Sequence, residues 1–143
     1  MRLLLMVLAS ASLQAAQVDD RRLLHAIGQV ESGMVRSAVG DRGASLGCYQ
    51  QSAAAWLDAR RQLRSEGLPC YDRSLWRSPS VQDTMALAYL RWIRSRLIAS
   101  GYPRPTVEQI AVCWNYGTTS ALRHRLPLTD YAKRVRNIYT TSR

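Results

Sequence analysis

The sequence predicts an all-α fold of the α+β lysozyme-like kind: about five helices around one core, with a Gly-rich turn or small hairpin between the first two. Two observations carry this. Apolar residues recur at helical spacing in five segments, each opened by a capping residue, and the first four are closed by glycine or followed by proline. No succession of alternating strands occurs, and the one stretch without helical period, residues 37–50, is broken by Gly40, Gly43 and Gly47.

The first helix opens at Asp19 or Asp20, carries Leu23, Ile27 and Val30 on one face, and stops at Gly33. Ser45-Leu46-Gly47-Cys48-Tyr49-Gln50 reads as a turn leading into a short extended piece. Ser52 caps a second helix with Trp56, Ala59 and Leu63 inward, ending at Gly67. A loop over 68–79 holds Pro69 and Pro79. A long third helix follows from about Ser80 to Ser100. Its apolar line is Val81, Met85, Ala88, Tyr89, Trp92 and Leu97, and Gly101 ends it. The fourth helix has a capping box, Thr106-Val107-Glu108-Gln109, and ends at Gly117. The last starts at Thr129-Asp130 and carries Tyr131, Val135 and Ile138.

The 143 residues suffice for one domain. Hydrophobic residues make up 47%, too many for a mainly disordered chain. Twenty Lys+Arg against ten Asp+Glu give +10, which points to a polyanionic partner: nucleic acid, an anionic membrane surface or cell wall. The N-terminus narrows that choice. Arg2, an apolar run Leu3–Leu8 and small residues through Ala16 have the pattern of a secretory signal peptide over 1–16, with the mature domain over 17–143. Cleavage after Ala11, Ala15 or Ala16 fits; removing 1–16 takes away only Arg2 among the charged residues, leaving nineteen basic against ten acidic, or +9. The expected location is therefore outside the cytoplasm, periplasmic or secreted. No other segment is long and apolar enough for a membrane span. Arginines spread along every helix, without a concentrated basic run, argue against nucleic acid as the partner.

An oxidising compartment makes one disulfide and one free thiol the simple expectation for Cys48, Cys70 and Cys113. All three pairings stay open; Cys48–Cys70 is favoured because it would tie the Gly-rich loop to the Pro-containing loop. No CxxC or His-rich spacing occurs, so neither a metal site nor a cofactor is expected.

Glu31 is the anomaly, one of only three glutamates. With Leu23 at zero and about 100° per residue, Ile27 falls at about 40°, Glu31 at about 80° and Leu24 at about 100°. A carboxyl inside this apolar arc, in the last turn of the helix, faces the core or a cleft. Desolvation and the partial negative charge of a helix C-terminus both raise its pKa, as general-acid catalysis requires. A glutamate paired with an arginine at the helix end is the alternative.

The flanking residues add a resemblance. Glu31-Ser32-Gly33 at a helix end, then Gly47-Cys48-Tyr49-Gln50, Trp114-Asn115-Tyr116-Gly117 and Tyr131-Ala132-Lys133-Arg134-Val135 occur in the order of four motifs of the lytic transglycosylase domain of the soluble, goose-lysozyme-like (SLT) type. The resemblance spans nearly all of the mature chain. It implies that Glu31 is the single acid/base, that Ser32 positions the substrate acetamido group or reacting sugar, and that Gln50 binds sugar with Tyr49 shaping the wall. It further implies that Asn115 binds a sugar substituent and that Tyr131 holds the Glu31 carboxyl. Cys48 and Tyr49 stand where the family usually has apolar Leu and Met, and Tyr116 stands where it has a small residue. Ordinary structural roles compete at each position: core for Tyr131, capping for Asn115, a turn for Gln50.

Asp41, in Gly40-Asp41-Arg42-Gly43, is a candidate second carboxylate. A Glu, an Asp about ten residues on and a hydroxyl residue beyond also resemble phage-type lysozymes; a plain turn role competes. The implied function is an exported enzyme cleaving the β-1,4 bond between N-acetylmuramic acid and N-acetylglucosamine. A hydrolytic muramidase using Glu31 and Asp41 is one alternative, and a non-catalytic wall-binding or assembly protein on the same fold is another. The expected partner is peptidoglycan, met by a monomer; a secretion-system component or an inhibitor protein could join it.

Overall fold

The computed structural model of the chain describes residues 17–142; the signal segment expected over 1–16 lies outside the described residues. Six helices and one two-stranded antiparallel hairpin form a mostly helical domain. The order is α1 (Asp20–Ser32), β1 (Val39–Gly40), β2 (Ser45–Leu46), α2 (Ala53–Ser65), α3 (Pro79–Ala99), α4 (Val107–Tyr116), α5 (Thr118–Arg123) and α6 (Asp130–Thr141). Val39 pairs with Leu46 and Gly40 with Ser45 across a 3₁₀ turn at Asp41–Gly43.

The caps explain most boundaries. Asp19, Ser52, Thr106 and Thr129 each accept a backbone N–H of the first turn, and Thr106 with Gln109 completes the expected capping box. Gly33 ends α1 at φ +65°, a left-handed position that suits glycine. Pro79 takes the first position of α3, where it has no hydrogen bond to lose.

α3 packs against α2, α1 and α4, while α6 packs against α1 and α4. Leu23, Ile27, Leu63, Met85, Leu90, Ile93, Leu97 and Ile110 form the centre of the core, all fully buried. With no Phe, the rings carry much of the volume: Tyr89 and Trp114 pack tilted with centroids 5.0 Å apart, and the Trp56 indole N–H donates to the Tyr71 carbonyl.

Two expectations need correction. The fifth of the six helices, α5, is absent from the sequence reading because Gly117 looks like a terminator. It does end α4, at φ +79° and ψ +139°, but the chain turns there and re-enters a helix at once, without a side-chain cap. The expected disulfide is also not formed: all three cysteines are free thiols. Cys48 is enclosed beside α3, Cys113 is buried within α4, and the Cys70 thiol points at the Arg60 carbonyl, 3.5 Å away. Burial pushes the Cys113 thiol up to about 11 and raises that of Cys48. Among the described residues no helix is long and apolar enough to cross a membrane.

Candidate active site

The segment 47–50 is built by a clamp from α3. Gln82, 2% exposed, accepts the Cys48 N–H at 3.0 Å and donates to the carbonyls of Arg36 (2.8 Å) and Trp76 (2.7 Å). One buried amide thus fixes three loops with its hydrogen bonds satisfied. Gly47 lies against it at φ +78°, and a Cβ there would come within 2.7 Å of the Gln82 amide, so glycine is required on both counts. Beside Gln82, Asp83 receives the Tyr49 hydroxyl at 2.6 Å and a two-point ion pair from Arg36 at 2.6 and 3.3 Å. Burial first, and the Asp83 hydrogen bond next, hold the Tyr49 phenol far above its ordinary range.

In front of this clamp opens a cleft of about 1090 Å³. It is lined by Glu31, Asp41, Ser45, Gln50 and Gln51, by Asp58 and Arg61 of α2, by Tyr89, Trp92 and Arg96 of α3, and by the segment from Trp114 to Ser120. Glu31 Oε1 accepts the Tyr131 hydroxyl at 2.6 Å, joining residues a hundred positions apart. Burial raises the Glu31 pKa above its ordinary 4.5; the Tyr131 hydrogen bond opposes this, the negative charge of Asp41 adds to it, and Arg134 opposes it more weakly. The Tyr131 phenol is itself pushed far up by burial and by the neighbouring carboxyl, so it remains a donor.

The site therefore holds a carboxyl raised toward its protonated form, fixed by one neutral donor, at the edge of an open groove. Tyr131 bonds to Oε1, and no hydrogen bond to Oε2 occurs among the described residues. Asp41 sits in a left-handed conformation (φ +49°), followed by Arg42 (φ +55°), and its carboxylate accepts the buried Ser45 hydroxyl at 2.6 Å. Gln50, also left-handed (φ +47°), folds its amide back to the Gly47 carbonyl at 2.8 Å and over Gly40, where a Cβ would collide with Gln50 Oε1. Asn115 is exposed and lines the cleft.

Of the residues singled out from sequence, Glu31, Asp41, Gln50 and Asn115 line the cleft and Tyr131 bonds to Glu31. Ser32 and Tyr49 do not line it. The Ser32 hydroxyl is spent on structure, donating to the Cys48 carbonyl at 2.8 Å and accepting the Val35 N–H at 3.0 Å. The Tyr49 ring is 4% exposed behind the turn, and its carbonyl accepts the Trp114 indole N–H at 3.3 Å. Sequence reasoning missed Gln82 and Asp83, although an amide interrupting the apolar line of α3 was a visible signal. It also missed Asp58, Arg61 and Arg96, whose place in a cleft depends on how α2 and α3 pack. No protein-family model, curated protein or solved structure matches the chain.

Proposed function

We propose that this protein is an exported peptidoglycan-cleaving enzyme, a lytic transglycosylase acting on the β-1,4 bond between N-acetylmuramic acid and N-acetylglucosamine. The observation that carries the reading is Glu31: a partly buried carboxyl with a raised pKa, held by Tyr131 in the lining of an open cleft. The net charge of +10 supports attraction to an anionic wall.

In this mechanism Glu31 gives its proton to the glycosidic oxygen as the C1–O bond breaks. The neighbouring acetamido carbonyl of the sugar stabilises the cationic C1. The sugar's own 6-hydroxyl then attacks C1, its proton returns to Glu31, and a 1,6-anhydro ring closes with the acid regenerated. Tyr131 keeps the carboxyl in one orientation through both proton transfers.

Asp41 favours a second reading. It lines the same cleft and is held by Ser45, as a carboxylate that placed water or attacked C1 would need to be. Mass spectrometry of a peptidoglycan digest separates the two. Anhydro-muropeptides are expected; reducing ends, together with severe loss of activity in Asp41→Asn, would replace the transglycosylase by a hydrolase. No soluble product from either reaction would end the enzymatic reading.

A further inference from the structure

Carboxylates and guanidinium groups share the lining of the cleft: Glu31, Asp41 and Asp58 with Arg61 and Arg96. α1 and α3 run antiparallel: Asp83 of α3 pairs with Arg36 just past the end of α1, whereas Arg94 pairs with Asp20 at its start. α3 extends about 20 Å from Asp83 to Arg96 at about 1.5 Å per residue. Glu31 and Asp41 therefore occupy one end, and Arg96, with Trp92 one turn before it, the other.

The arginines of this part of α3 differ in their partners. Arg91 makes two hydrogen bonds to Glu66 at 2.7 and 2.8 Å, and Arg94 binds Asp20. Arg96, which lines the cleft, makes no ion pair among the described residues. On α2, Arg61 also lines the cleft, steadied by Asp58 at 2.8 Å while its side chain stays 54% exposed. Two guanidinium groups and a half-buried indole thus face the groove. Guanidinium forks match paired anionic oxygens, and an indole face suits a sugar ring.

We infer that Arg96, toward the end of the cleft remote from Glu31, and Arg61 of α2 recognise an anionic substituent, a carboxylate or phosphate, carried by the glycan. The inference rests on the proposed glycan-cleaving role of the cleft and adds its substrate class: strands bearing negative groups, bound in preference to neutral ones.

Binding is measured with the full chain carrying Glu31→Gln, so that strands are not cut. The probes are a neutral N-acetylglucosamine oligomer, strands stripped of peptides (lactyl carboxylates remain), peptide-bearing strands, and strands bearing a phosphate polymer. Adding Arg96→Gln is expected to weaken binding to anionic strands about fivefold, and Arg61→Gln with it further, while the neutral oligomer stays within about twofold. The strand type showing the loss identifies the source of the anion. Equal weakening on the neutral oligomer, or no loss on any anionic strand, overturns the inference. Arg96→Gln alone suffices if the Asp58 left by Arg61→Gln disturbs folding. Digestion of peptidoglycan by the native chain is scored separately. Digestion without charge-dependent binding removes this inference alone; charge-dependent binding without digestion removes the catalytic reading alone.

Discussion

The acidic groups on the two sides of the 47–50 turn are treated in opposite ways. Behind the turn, Asp83 is met by the Arg36 fork and by the Tyr49 hydroxyl, and Gln82 next to it has its bonds completed. In front of it, Glu31 has one neutral donor, Tyr131, with a like charge on Asp41 nearby. The matched groups clamp a loop. The under-compensated group borders the open cleft. Two of the non-glycine residues in the left-handed region, Asp41 and Gln50, line the cleft. Rigidity on one side lets the other hold a carboxyl where folding alone would not favour it.

The largest break in this comparison is Glu31→Gln. It keeps shape and hydrogen bonding but removes the proton, so turnover of peptidoglycan is expected to fall by about 10³-fold with the far-UV circular dichroism unchanged. On the other side of the turn, Gln82→Ala strips three hydrogen bonds from buried groups. Denaturant unfolding is expected to show a loss of about 3 kcal/mol. The two variants sharpen the contrast, since the first changes chemistry and the second stability.

Tyr131→Phe comes next. A general acid works protonated, so turnover falls as pH rises through the Glu31 pKa. The Tyr131 hydrogen bond favours the ionised form; without it the pKa rises, and the alkaline limb of the kcat/KM profile moves to higher pH. The rate on the plateau is expected to drop about tenfold as the carboxyl loses its orientation. Asp41→Asn is the mildest under the transglycosylase mechanism. Removing the like charge lowers the Glu31 pKa, so the same limb moves to lower pH, with the plateau reduced less than about tenfold. Opposite shifts from the two variants are the signature of one carboxyl sensed from two sides.

Much of this was legible in the sequence because it is local. The caps, the glycine stops and the position of Glu31 in the apolar arc of α1 each depend on a few neighbouring residues. The hairpin at 39–46 follows from three glycines. What was not legible depends on distant packing. Ser32 looked like a ligand contact, but the return of the 47–50 turn consumes its hydroxyl. Tyr49 looked like cleft wall, but Asp83, thirty-four residues on, holds its hydroxyl and the ring does not line the cleft. The same cause conceals the arginines of the cleft, for Arg61 and Arg96 line one cavity only because α2 lies against α3. Gly117 shows a further limit: a single residue can end one helix and start the next.

The most direct test of the contrast is a ¹³C NMR titration of the Glu31 carboxyl in the native chain and in Tyr131→Phe. The midpoint is expected above the ordinary glutamate value of 4.5, and higher again in the variant. A midpoint at or below the ordinary value, or one that Tyr131→Phe leaves in place, would contradict the account.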